Sequence, residues 1–179
     1  MKNQFKITSV RDAYLKAVKG VEVFAFLKND VKLIGTVVMV DETGLVLASH
    51  GKSQQVIAWD ALASLSPKRQ ESHNMSKDSK ALVLDVDALF EEQNKKDAPT
   101  PTVNKFQQHF FRQVRNLAES RNSSLIVANY TVSGTPIKGE PVVCDDEVQI
   151  IMNHFGGLQL VRWDAISTVN CEVPKAKAY

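Results

Sequence analysis

The sequence predicts a mainly β fold built from two copies of one small module, and three observations support this. The tripeptide Trp59-Asp60-Ala61 recurs 104 residues later as Trp163-Asp164-Ala165. The same offset pairs Gly35 with Gly139, and between the identical positions apolar residues match apolar residues. Each copy also contains short runs rich in β-branched and aromatic residues, separated by turn residues, which are typical of strands. A fixed register of this kind indicates one structural unit that occurs twice.

Each copy begins with a pattern that predicts a helix. In the segment 14–19 the apolar residues have helical spacing, with Asp12 as the expected N-terminal cap and Gly20 as the end. The segment 110–115 repeats the same apolar and basic order. Residues 116–123 have no counterpart in the first copy, and we expect this insertion to lengthen the second helix.

Five short strands follow the helix in each copy. They are predicted at 21–28, 31–41, 45–49, 54–59 and 62–66, and again at 125–132, 136–145, 148–152, 159–163 and 166–170. Gly35 and Gly139 each lie inside the second strand, where a glycine marks a sharp bend or a bulge. Each module is therefore predicted to be a helix on a strongly bent, five-stranded antiparallel sheet that forms a small open barrel. Its unpaired edges need a cover, and pairing with a neighbouring copy would provide one.

The repeat divides the chain into a first module at 8–66, a connector at 67–103 and a second module at 104–173. The connector is polar and charged at both ends, but its segment 81–90 is apolar. We expect this apolar segment to dock on one of the modules; the alternative is a motif that binds a protein partner. Modules this small bury barely enough surface to be stable alone, so each is expected to lean on a neighbour.

Composition and charge narrow the possible functions. A net charge of +2 over 179 residues is too small to indicate nucleic-acid binding through bulk charge, so any such site has to come from a local arrangement. The two cysteines, Cys144 and Cys171, both lie in the second copy, which argues against a framework disulfide and suits a reducing compartment. No apolar run has the length of a membrane span, and the N-terminus lacks the apolar stretch of a signal peptide. We expect a cytoplasmic protein without a membrane partner.

Recurring carboxylates and histidines raise the question of catalysis. The residues at repeated positions are Asp41, Asp60, Asp145, Asp164, His50 and His154. Two of the aspartates stand just before turns, where aspartate commonly binds the backbone, and both histidines lie near glycines in loops. The sequence contains no nucleophile elbow, phosphate-binding glycine loop or zinc-ligand spacing. We therefore predict no catalytic residue, metal or cofactor, and interpret the protein as not being an enzyme.

One segment of the first copy resembles a known family. Residues 29–37, Asn-Asp-Val-Lys-Leu-Ile-Gly-Thr-Val, followed by Asp41 and by Leu-Val-Leu at 45–47, resemble the first signature of the bacterial RNA chaperone Hfq, an Sm-like protein family. The helix Tyr-Leu-Lys-Ala-Val-Lys at 14–19 and the closing Ala-Ile-Ser-Thr-Val at 165–169 are also similar to segments of that family. The resemblance covers nearly all of both modules and leaves out the tail and the connector.

The resemblance implies a fold, an assembly and a function. The fold is of Sm type, and six such folds close into a ring through edge-strand pairing and bind single-stranded RNA. With two folds per chain, three chains would supply the six, so a trimer acting as a pseudo-hexamer is expected. The leading hypothesis is a tandem-repeat RNA-binding protein with a role in post-transcriptional regulation. The alternative is a ring-shaped scaffold that binds a protein partner and has lost RNA binding.

The sequence departs from the family at the pore side of the ring. The family's second signature, Tyr-Lys-His, holds uridine-rich RNA there, whereas these positions read Ala58-Trp59-Asp60 and Arg162-Trp163-Asp164. Carboxylates in place of cations repel phosphate, so we expect the pore-side site to be lost or rebuilt. The two tryptophans could stack on bases or be buried at the end of the barrel, and we favour burial.

The opposite, distal-type face keeps more of the family's residues. The resemblance implies contacts with adenine-rich RNA at eight positions: Phe26, Asn29, Lys32 and Gln55 in the first copy, and Tyr130, Gly134, Gln159 and Thr168 in the second. Asp30 and Pro136 do not fit the family's pattern. For the two aromatic positions, ordinary packing within a strand is the alternative.

The helices supply a third candidate surface, the rim. Lys16 and Lys19 in the first copy, and Arg112 and Arg115 in the second, are spaced to share a helix face. In the family, basic residues of the rim contact RNA. The alternative is a plain solvated helix face.

Overall fold

The computed structural model describes residues 9–49, 53–68, 105–121 and 124–173, which contain two α-helices and ten β-strands. The helices are α1 (Val10–Val18) and α2 (Lys105–Arg121). The strands of the first half are β1 (Glu22–Leu27), β2 (Lys32–Val40), β3 (Gly44–Ala48), β4 (Gln54–Ala58) and β5 (Leu62–Pro67). Those of the second half are β6 (Ile126–Thr131), β7 (Pro136–Cys144), β8 (Val148–Met152), β9 (Leu158–Arg162) and β10 (Ile166–Glu172).

All ten strands belong to one antiparallel sheet with the order β10-β6-β7-β8-β9-β5-β1-β2-β3-β4. The five strands of each half follow the same internal order, and the halves are joined where β5 pairs with β9. The prediction of a mainly β chain with five antiparallel strands in each copy is confirmed. The two sheets expected from the sequence are, however, merged into one. This sheet is not closed, and within the described ranges β4 and β10 are its two ends.

The two repeated glycines lie where neighbouring backbones approach closely. A Cβ atom at Gly35 would lie 2.8 Å from the carbonyl oxygen of Ala48, and one at Gly139 would lie 2.5 Å from that of Met152. A side chain would therefore collide with backbone at either position. The pairing of β2 with β3, and that of β7 with β8, shifts register two residues beyond the glycine. Each of the two glycine-containing strands therefore has a pairing irregularity, two residues beyond the position predicted for it.

Both helices begin earlier than predicted. Helix α1 begins at Val10 because Ser9 caps it, with the Ser9 side chain accepting a hydrogen bond of 3.1 Å from the backbone N–H of Asp12. The prediction of Asp12 as the cap was wrong, because the buried Val10 belongs to the apolar face and extends the helix by one turn. Helix α2 spans Lys105–Arg121, so the insertion at 116–123 does lengthen it.

Each helix covers an apolar core, and the first core is shared by both halves. Helix α1 packs Tyr14 and Val18 into a cluster that contains Leu65 of the first half and Ile150 and Leu160 of the second. The Tyr14 hydroxyl oxygen lies 2.8 Å from the carbonyl oxygen of Leu65 on β5 and 2.8 Å from that of Leu158 on β9, so its one proton is donated to either of them. Helix α2 covers the second core, where Phe111 meets the Trp163 ring edge-on at a centroid distance of 5.8 Å.

The last strand of the first half is one residue longer than predicted. Strand β5 runs to Pro67, and Lys68 beyond it forms an ion pair of 2.9 Å with Glu22. The apolar connector segment 81–90 lies outside the described residues. None of the helices in the described part of the chain is both long and apolar enough to span a membrane.

The second half contains a buried pair of amides that the first half lacks. Asn129 and Gln149 are fully buried, and each side chain donates a hydrogen bond to the other, at 3.2 and 2.9 Å. At the equivalent positions the first half has Ala25 and Leu45, which are also buried. A reciprocal pair of this kind satisfies its own polar groups and is costly only when one partner is removed.

We therefore expect Gln149→Leu to lower the free energy of unfolding by about 1–3 kcal/mol, because Asn129 would remain buried without its partner. The double variant Asn129→Ala/Gln149→Leu copies the first half and should recover most of this loss. Urea denaturation of the wild type and both variants measures the three free energies. A double variant no more stable than Gln149→Leu would contradict this account of the pair.

Candidate nucleic-acid interface

Four side chains on one face of the sheet form a row across the joint between the halves. In the pairing of β1 with β2, Phe26 lies opposite Lys32, and in the pairing of β1 with β5 it lies opposite Ser64. Residues directly opposite each other in an antiparallel pair project to the same face. The fourth member is Gln159 on β9, whose Nε2 donates to the Ser64 Oγ at 2.7 Å. We call Lys32, Phe26, Ser64 and Gln159 the junction row.

Aromatic rings and an ammonium group meet at the outer end of this row. Phe24 and Phe26 alternate along β1, and their ring centroids are 6.4 Å apart with the rings tilted by 46°. The Nζ atom of Lys32 lies 3.9 Å from the centroid of Phe24 and 5.5 Å from that of Phe26. Both phenylalanines are half-buried and Lys32 is exposed. This end of the row therefore presents partly open aromatic surface beside a positive charge.

At its inner end the row is buried and polar. Ser64 and Gln159 are both buried between the halves, so Gln159 does not stand on an open face as the resemblance implied. One N–H of its amide binds Ser64, which leaves a second N–H and a carbonyl oxygen on the same side chain. The four residues therefore combine stacking surface, charge and hydrogen-bonding groups along a line through four adjacent strands.

The second half repeats only part of the junction row. Tyr130 on β6 lies opposite Pro136 on β7 and opposite Thr168 on β10. We call these three residues the edge row, because β10 is an end of the sheet. The residue equivalent to Gln159 is Gln55, which lies on β4 at the other end. The structure thus brings Tyr130 and Thr168 together and separates Gln55 from them.

Two of the predicted residues lie in turns. Asn29 is exposed in the β1–β2 turn, where its Oδ1 accepts a hydrogen bond of 3.3 Å from Val31 N–H. Gly134 is in the equivalent β6–β7 turn with a φ of 88°, a conformation that favours glycine. Neighbouring residues connect the two turns, because the Ser133 hydroxyl donates to Asp30 at 2.5 Å. Asn29 and Gly134 are therefore turn residues that lie beside the rows.

The rim residues differ in how open they are. Lys16 and Lys19 are exposed near the end of α1, and Arg112 is exposed on α2. Arg115 is half-buried and forms an ion pair of 2.8 Å with Glu119, one helical turn away. Three of the four predicted rim cations are thus exposed on helix surfaces, and the fourth is engaged within its own helix.

The two tryptophans at the pore-side positions are buried, as favoured from the sequence. Trp163 donates through Nε1 to the Asp145 carbonyl at 2.9 Å, and Trp59 donates through Nε1 to the Glu147 carboxylate. Since Trp59 belongs to the first half and Glu147 to the second, this contact also ties the halves together. Neither ring offers the open surface that base stacking requires.

A buried arginine organises the pore-side carboxylates. Arg162 donates to Asp164 at 2.9 and 2.5 Å, to Asp60 at 3.4 Å and to the Trp59 carbonyl oxygen. Lys28 approaches Asp164 from the first half at 2.8 Å. Two cations therefore balance two carboxylates in this cluster, and it offers phosphate no net positive charge.

The same cluster sets the pKa of Asp164. Partial burial raises this pKa, but hydrogen bonds from Arg162 and Lys28 outweigh the burial and lower the pKa below its usual 3.8. A carboxylate with a lowered pKa stabilises the fold at every pH above its unfolded value. That contribution disappears as the pH falls through the folded pKa.

Sequence reasoning missed three residues of these clusters, although signals for them were present. Phe24 alternates with Phe26 in one strand, so period-two spacing places both on one face. Ser64 is the 104-residue counterpart of Thr168, which the resemblance had singled out. Arg162 has no such signal from the repeat, because its counterpart is Ala58; its charge partners are Asp164, two residues away, and Asp60 of the other half.

Comparison with known proteins adds no identification. No protein-family model matches the chain, and no curated protein shows significant similarity to it. Among the residues that the structure describes, no group of three or more histidine, cysteine, aspartate or glutamate side chains is arranged to hold a metal ion.

We expect Asp164→Asn to reduce the free energy of unfolding at neutral pH by less than about 1 kcal/mol, since the carboxylate is 41% exposed and its ion pairs are screened. The difference from the wild type should shrink as the pH falls below 3.8, where the unfolded carboxyl is protonated. Denaturant titrations at several pH values between 2.5 and 7 test this. Asp60→Asn is the matched control, because that side chain is 94% exposed and should show little change at any pH. A difference for Asp164→Asn that stays constant down to pH 2.5 would contradict the assignment.

Proposed function

We propose that the protein binds single-stranded RNA, without covalent chemistry, along the junction row and the adjacent Phe24. The observation that carries this proposal is the meeting of two half-buried phenylalanine rings, an exposed lysine and a buried glutamine amide on one face of the sheet. Single-stranded nucleic acid is bound in general by aromatic rings that stack on bases and by cations that track the backbone. A base on the Phe24–Phe26 surface would bring its phosphate near Lys32.

The charge distribution is consistent with binding that depends mainly on stacking. With a net charge of only +2, the chain lacks a broad positive field. Each phosphate neutralised on a single strand contributes a slope of about 0.7 to the salt dependence of log affinity. Lys32 alone would give a shallow slope, and a steeper one would indicate that Lys16, Lys19 and Arg112 of the rim also contact RNA.

The assembly and the wider role rest on the resemblance to Hfq. Each half of the sheet has a helix and five strands in the same order, which supports an interpretation as two Sm-like modules. On that interpretation three chains supply six modules to a ring, which acts in the cytoplasm in post-transcriptional regulation. A protein-binding scaffold is the second candidate, and the neutralised pore-side cluster favours it because the carboxylates there are already paired.

We expect Phe26→Ala to weaken binding of single-stranded RNA about tenfold, since stacking on one aromatic side chain contributes about 1–3 kcal/mol per base. Filter binding or fluorescence anisotropy with poly-A, poly-U and mixed RNA at two salt concentrations measures the effect. Loss of a stacking ring should lower affinity without changing the salt slope. Phe26→Tyr keeps a ring and should retain most of the affinity.

Phe155→Ala is the matched control, because Phe155 is an exposed phenylalanine in the β8–β9 turn, outside both rows. It should bind RNA as the wild type does. Tyr130→Ala tests the edge row in the same assay. Absence of RNA binding by the wild type at low salt would refute the proposal and leave the scaffold as the better interpretation.

A further inference from the structure

The side chain of Lys32 lies along the sheet instead of standing out into solvent. Lys32 is directly opposite Phe26 in the pairing of β1 with β2, yet its Nζ atom is nearer to the ring of the diagonal neighbour, Phe24. The distances to the two ring centroids are 3.9 Å for Phe24 and 5.5 Å for Phe26. Diagonal neighbours on one face of an antiparallel pair are within reach of a long side chain. The ammonium group therefore rests against two aromatic rings.

The rings of Phe24 and Phe26 form a notch around this ammonium, because their planes are tilted by 46° with the centroids 6.4 Å apart. We call the two rings the aromatic notch. A cation within about 6 Å of a ring centroid is attracted by the negative face of the ring. Both rings satisfy this distance, so the notch holds the charge of Lys32 in the free protein.

Two other exposed lysines on this sheet have carboxylate partners. Lys28 forms an ion pair of 2.8 Å with Asp164, and Lys138 forms one of 2.7 Å with Glu172. The contact of Lys32 with rings is therefore a different kind of interaction from those of its neighbours.

The second half lacks both members of the contact. The positions 104 residues after Phe24 and Lys32 hold Ala128 and Pro136, whereas Tyr130 keeps a ring. Ala128 is fully buried and offers no ring face. The half without the lysine is thus also the half without the ring beneath it, as expected if the ring and the ammonium act as a pair.

We infer that Lys32 restricts the RNA site to ligands that carry both a base and a phosphate, an inference that rests on the proposed function. The ammonium occupies the aromatic notch in the free protein and leaves it when a base takes its place. A base without a phosphate would move the charge into water, and a phosphate without a base would leave the ring faces uncovered. A nucleotide within a single strand supplies a partner to the ring and to the ammonium at once.

This exchange makes Lys32 a specificity-determining residue. A polyanion without bases can pair with the ammonium only by breaking its contact with the rings, and it puts nothing in the notch. The lysine that attracts phosphate is therefore held back from ligands that offer charge alone. Discrimination of this kind matters in a chain whose net charge is only +2 and whose affinity depends mainly on stacking.

The resting contact is tested in the free protein by NMR of isotope-labelled lysine side chains. Protons above an aromatic ring face resonate upfield, so the εCH₂ protons of Lys32 should be shifted upfield in the wild type. Phe24→Leu should return them to the ordinary position, and Phe24→Tyr, which keeps the ring, should not. Lys28 provides the matched control, because its partner is a carboxylate and its resonances should not respond to either variant.

The exchange is tested with two ligands of equal length: mixed-sequence RNA and an abasic ribose-phosphate strand. RNA should abolish the upfield shift of Lys32 in the wild type, and the abasic strand should not. Phe24→Leu releases the ammonium, so this variant should bind the abasic strand about two- to fivefold more tightly than the wild type, which corresponds to an exposed cation–π contact. It should bind RNA more weakly, because a stacking ring is gone.

Lys32→Gln removes the charge and uncovers the notch. The salt slope of RNA binding should fall by about 0.7, so any wild-type advantage shrinks about fivefold for each tenfold rise in salt. At high salt the variant should bind RNA more tightly than the wild type, because no ammonium has to leave the rings. Lys138→Gln is the matched control, since Lys138 is already paired with Glu172, and it should keep the wild-type slope.

The outcomes separate this inference from the proposed function. A wild type that binds RNA while the Lys32 protons resonate at the ordinary position in the free protein would overturn the inference alone. So would an equal loss of the upfield shift with the abasic strand, or an abasic affinity that Phe24→Leu leaves unchanged. A Lys32→Gln variant that binds more weakly than the wild type at every salt concentration would overturn it as well. A wild type that binds no RNA would refute the proposed function, and the exchange with it.

Discussion

The architecture depends on the pairing of β5 with β9, where the end of one five-stranded unit meets the end of the other. A short, strongly bent sheet has two edges whose backbone groups need partners, and this pairing satisfies one edge of each unit at once. The Tyr14 hydroxyl lies within hydrogen-bonding distance of a carbonyl oxygen on each side of the joint, and the apolar core beneath α1 contains residues from both halves. The halves therefore share a core and cannot be understood as independent domains.

The joint also creates the candidate binding surface, because it places side chains from different halves in one line. Phe26 and Lys32 belong to the first half, and Gln159 reaches them only through Ser64 on the neighbouring strand. Because the row runs across the strands, its aromatic ring, its charged group and its hydrogen-bonding groups come from different parts of the sequence. The surface is thus fixed by strand register, and its geometry is as rigid as the sheet that carries it.

The repeat made much of the fold predictable, and its limits explain what was missed. The 104-residue offset between Gly35 and Gly139 located the irregular strands, and runs rich in β-branched and aromatic residues located all ten strands within a few residues. The N-terminus of α1 was missed because Ser9 precedes the apolar pattern. Sequence similarity could mark Gln159 as equivalent to Gln55, but it could not show that one is buried in a joint and the other lies at a sheet end. That difference arises from tertiary pairing, which a periodic pattern does not encode.

The copies differ where charges cross the joint, and this difference favours one pairing of strands over its competitor. The competing arrangement within a chain would join β4 to β10, using equivalent strands. Three ion pairs span the β5–β9 joint: Lys28 with Asp164, Arg11 with Glu147, and Arg162 with Asp60. At the other ends of the sheet the counterparts of Lys28, Arg162 and Glu147 are the uncharged Val132, Ala58 and Thr43. Exposed pairs add little stability individually, but a set that can form in only one arrangement discriminates between two otherwise similar interfaces.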